Sequence, residues 1–168
     1  MAFSPVRLNH AVLFVADVER AVRFYRETLG MEVVTREPRA NAAFLRLPRS
    51  GNHHDLGLFG VGTAAGPKRR GAIGLYHLAW QVDTIDELAE ARRVLADAGA
   101  LSGQSSHGAT KSLYSADPDG NEFEVMWMLP RQAWGDYEHT APVDRLDLDA
   151  EVRRWSGVST AGDWDRTA

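Results

Sequence analysis

The 168-residue chain contains no cysteine. Disulfides, thiolate metal ligands and a cysteine nucleophile are thereby excluded, and any bound metal must be held by nitrogen and oxygen. No apolar run approaches the roughly 18 residues that a membrane helix needs, and the first eight residues lack the basic-then-apolar layout of a secretory leader. A cytoplasmic location without a membrane partner is the expectation. Strong charge of one sign is missing too. With 19 Lys and Arg against 23 Asp and Glu, the formal net charge is −4, which gives no electrostatic case for nucleic acid or an anionic bilayer. A small-molecule ligand is expected instead. The remaining composition, 44% hydrophobic and 25% charged, is that of a globular chain long enough for one domain or two small fused modules.

What the chain does have is an internal repeat. Asn9-His10-Ala11-Val12 and Tyr76-His77-Leu78-Ala79 each open a strand-like apolar run that leads into a helix start, at an offset of 67 residues. The same offset aligns Asp55-Leu56-Gly57-Leu58-Phe59 with Glu122-Phe123-Glu124-Val125-Met126. The histidines His10 and His77 are therefore equivalent, whereas the twin of Glu124 is Gly57. Two histidines and one carboxylate, with the fourth quasi-symmetric position empty, suit a metal centre with open coordination sites.

Each copy reads as strand, helix, then three strands. In the first, residues 8 to 15 form a strand, Asp17 caps a helix with Val18, Ala21, Val22, Tyr25 and Leu29 at helical spacing, and Gly30 stops it. Three short strands follow at residues 31 to 36, 42 to 47 and 55 to 61. The second copy has a strand at 75 to 82, a capping box at Thr84 and Glu87, and a helix stripe of Leu88, Ala91, Leu95 and Ala98 ended by Gly99. Its strands lie near residues 100 to 105, 112 to 116 and 122 to 128. The organisation is a first βαβββ module at 1–61, a linker at 62–72, a second βαβββ module at 73–130, and a tail at 131–168. One amphipathic helix is expected in that tail over residues 144 to 155. The expected class is α+β, with the two modules forming an open, curved, eight-stranded mixed sheet around a metal site.

Period-two alternation sends Phe123, Val125 and Trp127 to one face and Glu122, Glu124 and Met126 to the other. The first set suits packing on helices, and Glu124 then points into the concavity with His10 and His77. A lone histidine on an apolar strand is more often a hydrogen-bonded structural residue than a ligand. Repeat equivalence and the inward glutamate reverse that reading. A buried Glu124 without a cation must be protonated or paired. A metal removes that cost, and an arginine such as Arg46 is the structural alternative. Trp80, Phe14 and Met126 are the expected pocket lining.

These residues resemble the vicinal oxygen chelate superfamily, whose paired βαβββ modules surround a metal, over residues 8 to about 130. Asp117-Pro118-Asp119-Gly120-Asn121 is similar to the hairpin common across that superfamily, with Pro118 setting φ and Gly120 permitting a positive one. His107, Leu113-Tyr114, Asp117-Pro118, Gly120 and Glu124 stand at spacings similar to the type I extradiol ring-cleaving dioxygenase signature. Ser105 departs from it, standing where another small or branched residue is preferred. His54-Asp55-Leu56-Gly57-Leu58 resembles the segment in which those enzymes carry a further active-site histidine. Strand alternation counted back from Gly57 favours the adjacent His53, and the resemblance favours His54.

The resemblance implies an Fe(II)-dependent extradiol dioxygenase, with Mn(II) as the alternative ion. His10, His77 and Glu124 would be the metal ligands, and His54, His107 and Tyr114 the catalytic, substrate-binding groups. A catechol-type diol and O2 would give a muconic semialdehyde-type product. The modules can pair within one chain or across a homodimer. Other members imply other outcomes: a glyoxalase-type lyase or isomerase, a fosfomycin-resistance-type transferase, or a non-enzymatic drug-binding protein.

Overall fold

Each apolar run of the repeat takes the form its period predicts in the computed structural model, which describes residues 3–66, 71 and 73–162. The first set is β1 (Ala11–Val15), α1 (Val18–Leu29), β2 (Glu32–Glu37), β3 (Ala42–Arg46) and β4 (Leu56–Gly60). The second is β5 (Leu78–Gln81), α2 (Ile85–Asp97), β6 (Leu101–Ser106), β7 (Thr110–Ala116) and β8 (Glu122–Met128). The eight strands divide into two open four-stranded mixed sheets, ordered β1-β4-β3-β2 and β5-β8-β7-β6. In both, the first and last strands pair in parallel and the others antiparallel. The repeat therefore extends to register: Val12 lies beside Gly57 and, 67 residues on, Ala79 lies beside Glu124.

The chain clusters into two compact units, residues 1–69 with 118–120, and residues 70–117 with 121–168. In the first, Asp17 caps α1 by accepting from the Arg20 N–H at 2.9 Å. The stripe of Val18, Ala21, Val22 and Tyr25 is buried against β3 and β4. Burying each large side chain of such a stripe contributes roughly 1.5–3 kcal/mol. Asp119 also belongs to this unit, where it pairs with Arg20 and accepts from the Ala16 N–H at 3.2 Å.

In the second unit Thr84 and Glu87 form the expected cap. The Thr84 hydroxyl accepts from Glu87 N–H at 3.1 Å, and the Glu87 carboxylate reaches back to Asp83 N–H at 2.9 Å. Leu88, Leu95, Phe123, Val125 and Trp127 make the core beneath α2. Trp127 donates its indole N–H to the Asp83 carbonyl.

Some boundaries differ from the sequence expectation. Strands β1 and β5 begin at Ala11 and Leu78, so His10 and His77 stand just before their strands. The first ladder bond of β1 runs from Ala11 N–H to the Asp55 carbonyl, while the Asn9 carbonyl is taken by the Asn52 side chain. In the tail the helix α3 covers only Leu148–Trp155. Asp144 instead forms an antiparallel bridge with Ser106, and Asp147 caps the helix by accepting from Ala150 N–H at 3.0 Å. Leu146 is nonetheless buried, and its carbonyl accepts from the Gln104 side chain at 3.0 Å. Residues 67–70 and 72 of the expected linker lie outside the described residues, and Thr63–Ala65 forms a short 3-10 turn.

Candidate metal centre

Alternation along β8 places Glu124 on the face opposite Phe123, Val125 and Trp127, as its period requires. Its antiparallel partner on β7 is Tyr114, so the two side chains share that face. His77, entering β5 next door, brings Nε2 to 3.0 Å from Glu124 Oε2, and its ring lies 5.9 Å from that of Tyr114. Glu124 is 9% exposed. A carboxylate so buried requires a partner, and here it is His77; Arg46, the structural alternative, belongs to the first unit and pairs with Glu32. Nδ1 of His77 is buried without a hydrogen-bond partner, so Nε2 is the nitrogen turned to a neighbour.

Beside this pair, at the end of the β6–β7 hairpin, lies a second polar group. His107 Nε2 stands 2.6 Å from the Tyr114 hydroxyl, and Ser105 Oγ lies 2.9 Å from that nitrogen and 3.1 Å from that hydroxyl. His107 Nδ1 is 2.8 Å from the Pro142 carbonyl. The sequence pointed to His107 and Tyr114 but assigned no role to Ser105, whose hydroxyl reaches both. Its departure from the signature was the one available signal. Pro142 acts through its backbone, which no side-chain pattern reveals.

In the first unit, the His10 and His54 rings are 4.5 Å apart and His54 meets Phe44 edge-on at 5.2 Å. His53 is exposed, with Nδ1 3.1 Å from that of His54. Strand β4 begins at Leu56, so both histidines precede it in the connecting loop and the strand alternation does not extend to them. Burial, and then the neighbouring His10 and His53, hold the His54 imidazole below its ordinary pKa. Phe44 lies beside Gly57 in register and Phe14 beside Phe59, which puts His54's neighbour on the Gly57 face. Phe14 on this face is 71% exposed. Met126 shares the Glu124 side of β8, but Trp80 pairs with Val125 and so lies on the helix face, away from Glu124. That corrects its place as pocket lining.

Of the three expected ligands, His77 and Glu124 meet in the second unit and His10 lies in the first. Among the described residues no three His, Asp or Glu side chains stand together as a group that could hold an ion. The donor chemistry of the pair itself fits a divalent metal. Two donors bound about 2.1 Å from one ion at right angles stand about 3.0 Å apart, which is the separation of His77 Nε2 and Glu124 Oε2. Imidazole with carboxylate and no thiolate is also the set that non-haem Fe(II), Mn(II) and Zn(II) accept.

Residues 7–125 match the family model described as Glyoxalase/Bleomycin resistance protein/Dioxygenase superfamily. The chain belongs to this superfamily. It is 31% identical over 143 residues to Metapyrocatechase 2 of Cupriavidus necator, covering 79% of this chain and 42% of that protein. It is 35% identical over 121 residues to Biphenyl-2,3-diol 1,2-dioxygenase 3 of Rhodococcus globerulus, covering 71% and 62%. The chain thus spans about half the length of these curated relatives. A solved glyoxalase/dioxygenase of Nostoc punctiforme superposes with a TM-score of 0.64 at 21% identity over 77% of this chain and 97% of that one, a likeness of fold. A solved fosfomycin resistance protein of Listeria monocytogenes, in a complex with Mn(II), superposes with a TM-score of 0.61 at 17% identity over 77% of this chain and 97% of that one, again a likeness of fold.

Proposed function

We propose that this superfamily member is an extradiol ring-cleaving dioxygenase that acts on a catechol-type diol, with His10, His77 and Glu124 as ligands of Fe(II). The observation that carries the reading is the Ser105–His107–Tyr114 group beside Glu124 and His77. A lyase that only polarises a carbonyl, or a protein that only sequesters a drug, has no need of a phenol coupled to an imidazole next to the ligands. The identity to a metapyrocatechase and a biphenyl-diol dioxygenase supports the same reading.

When bound, the metal would supply an electron path between a catecholate and O2 at one centre. The protein's own residues would do the rest. The Tyr114 hydroxyl, with His107 Nε2 behind it, would accept a hydrogen bond from one catechol oxygen and draw off its proton. Ser105 would hold the phenol and imidazole together while the proton moves. His54, in neutral form, would donate or accept a hydrogen bond at the oxygen-binding side. Both oxygen atoms enter the ring-opened product, which is the sum of diol and O2, so no external reductant is required.

The test is anaerobic purification with Fe(II), measurement of bound metal, and addition of a panel of catechols with air. The yellow ring-opened product and matching O2 uptake are expected. Tyr114→Phe and His54→Phe should keep the iron and lose about 10²–10⁴-fold in turnover, the usual contribution of a positioned acid–base group. His10→Ala and Glu124→Ala should lose the iron. Bound metal without O2 uptake on any catechol would favour a lyase or transferase, and absence of metal affinity would favour a binding protein.

A further inference from the structure

The tail beyond β8 lies outside the repeat, yet it reaches the site through one backbone atom. A carbonyl oxygen can only accept a hydrogen bond. The 2.8 Å contact between the Pro142 carbonyl and His107 Nδ1 therefore requires the proton on Nδ1. In the neutral ring Nε2 is then a bare lone pair, and the Tyr114 hydroxyl at 2.6 Å is its donor. The Ser105 hydroxyl, 3.1 Å from the phenol oxygen, completes the set by donating to it. We propose that the C-terminal tail is a positioning element for the His107–Tyr114 pair, fixing the His107 tautomer so that Nε2 accepts from the phenol.

The segment carrying Pro142 is held in place by contacts on both sides. Ser106 and Asp144 exchange two backbone hydrogen bonds of 2.9 Å, which sets residue 142 opposite the end of β6. Gln104 donates to the Leu146 carbonyl at 3.0 Å. Lys111, 5% exposed, joins the parts: its ammonium donates to Ser106 Oγ and the Gly108 carbonyl and pairs with Glu151 of α3 at 3.1 Å. A charge so buried is tolerated only when fully partnered, so this lysine serves as an interior clamp between the hairpin that carries His107 and the tail. Further along, Ser156 and Gly157 donate to Asp86, and Ser159, Thr160 and Ala161 donate to Asp83. The repeat alone builds β6 and β7; the tail decides which nitrogen of His107 carries the proton.

The catalytic use of this tautomer rests on the dioxygenase reading, but the tautomer itself does not, so the two can fail separately. Long-range proton–nitrogen correlation spectra of the metal-free, 15N-labelled full chain at alkaline pH read the ring directly. The wild type should show a protonated-type Nδ1 and an unprotonated-type Nε2 for His107. In Lys111→Met, and in Asp144→Pro, which removes one N–H of the bridge, Ser106 amide protection should fall at least tenfold. The two nitrogen shifts should then converge towards a tautomer mixture. If either variant fails to fold, Glu151→Gln weakens the same ion pair and is read in the same way. A wild-type Nε2–H ring, or a detached tail with the Nδ1–H ring unchanged, overturns the proposal. Undiminished Ser106 protection in the variants overturns it too, because these contacts would then not dock the tail. Absence of catechol cleavage with the expected spectra would strike only at the dioxygenase reading.

Discussion

Two glycines differ in why they carry no side chain. At Gly57, the twin of Glu124, a Cβ would lie 3.3 Å from Val12 Cγ2 and 3.4 Å from the Phe44 ring. Val12 is 51% exposed and can turn aside, and alanine also narrows the unfolded ensemble. Gly57→Ala should therefore change stability by no more than about 1 kcal/mol in a urea titration. A larger loss would mean that packing, rather than chemistry, keeps this position empty. At Gly108 φ is +74 and a Cβ would overlap the Tyr137 ring. Left-handed backbone costs an L-residue about 1–2 kcal/mol, and displacing a packed ring adds about 1–3 kcal/mol. Gly108→Ala should lose about 2–5 kcal/mol in the same titration. The repeat made Gly57 legible in the sequence, since its partner is a carboxylate. Nothing local announced Gly108, because its ring neighbour comes from 29 residues further on.

Elements whose partners lie within the same copy were legible from periodicity and caps: α1 with Asp17, α2 with Thr84 and Glu87, and the alternation of β8. The tail was not. Leu146, Leu148, Val152 and Trp155 fit one helical stripe, but Asp144 takes a bridge to Ser106 and the chain stays extended until Asp147 caps it. A hydrogen bond to a strand some 40 residues away outweighs a local preference of a few tenths of a kcal/mol. The far end of the tail is held by a titratable group. Asp86 accepts from Gly157 N–H at 2.7 Å and from the Ser156 hydroxyl at 2.8 Å, and these bonds, in that order, lower its pKa below 3.8. A depressed carboxylate contributes stability that is complete above its unfolded value and is lost as pH falls through the folded one. The Gly157 amide resonance should thus titrate with an apparent pKa below 3.8, and Asp86→Asn should abolish that titration. A midpoint at or above 3.8 would refute the anchoring.

At the scale of the whole molecule, the duplication explains why the topology could be read and the site only in part. Two copies of one order give two sheets with equivalent registers, and the chemistry then lies in how the copies differ: Gly57 against Glu124, and a tail that follows only the second. The proposed ligands are drawn from both units, His10 from the first and His77 and Glu124 from the second. Binding of one ion should therefore stabilise both. Trp80, Trp127, Trp134 and Trp155 stand in the second unit, and the described residues of the first contain no tryptophan, so the fluorescence of these four follows the second unit, whereas far-ultraviolet circular dichroism follows both. Mn(II), which does not oxidise in air as Fe(II) does, at a hundredfold above its Kd should add about 2.7 kcal/mol to whatever it binds. The two probes should shift upward together, and His10→Ala should remove the shift from both. A shift confined to the tryptophan signal and indifferent to His10→Ala would mean that His77 and Glu124 bind the ion without the first unit. The repeat equivalence of His10 and His77 would then be structural rather than functional.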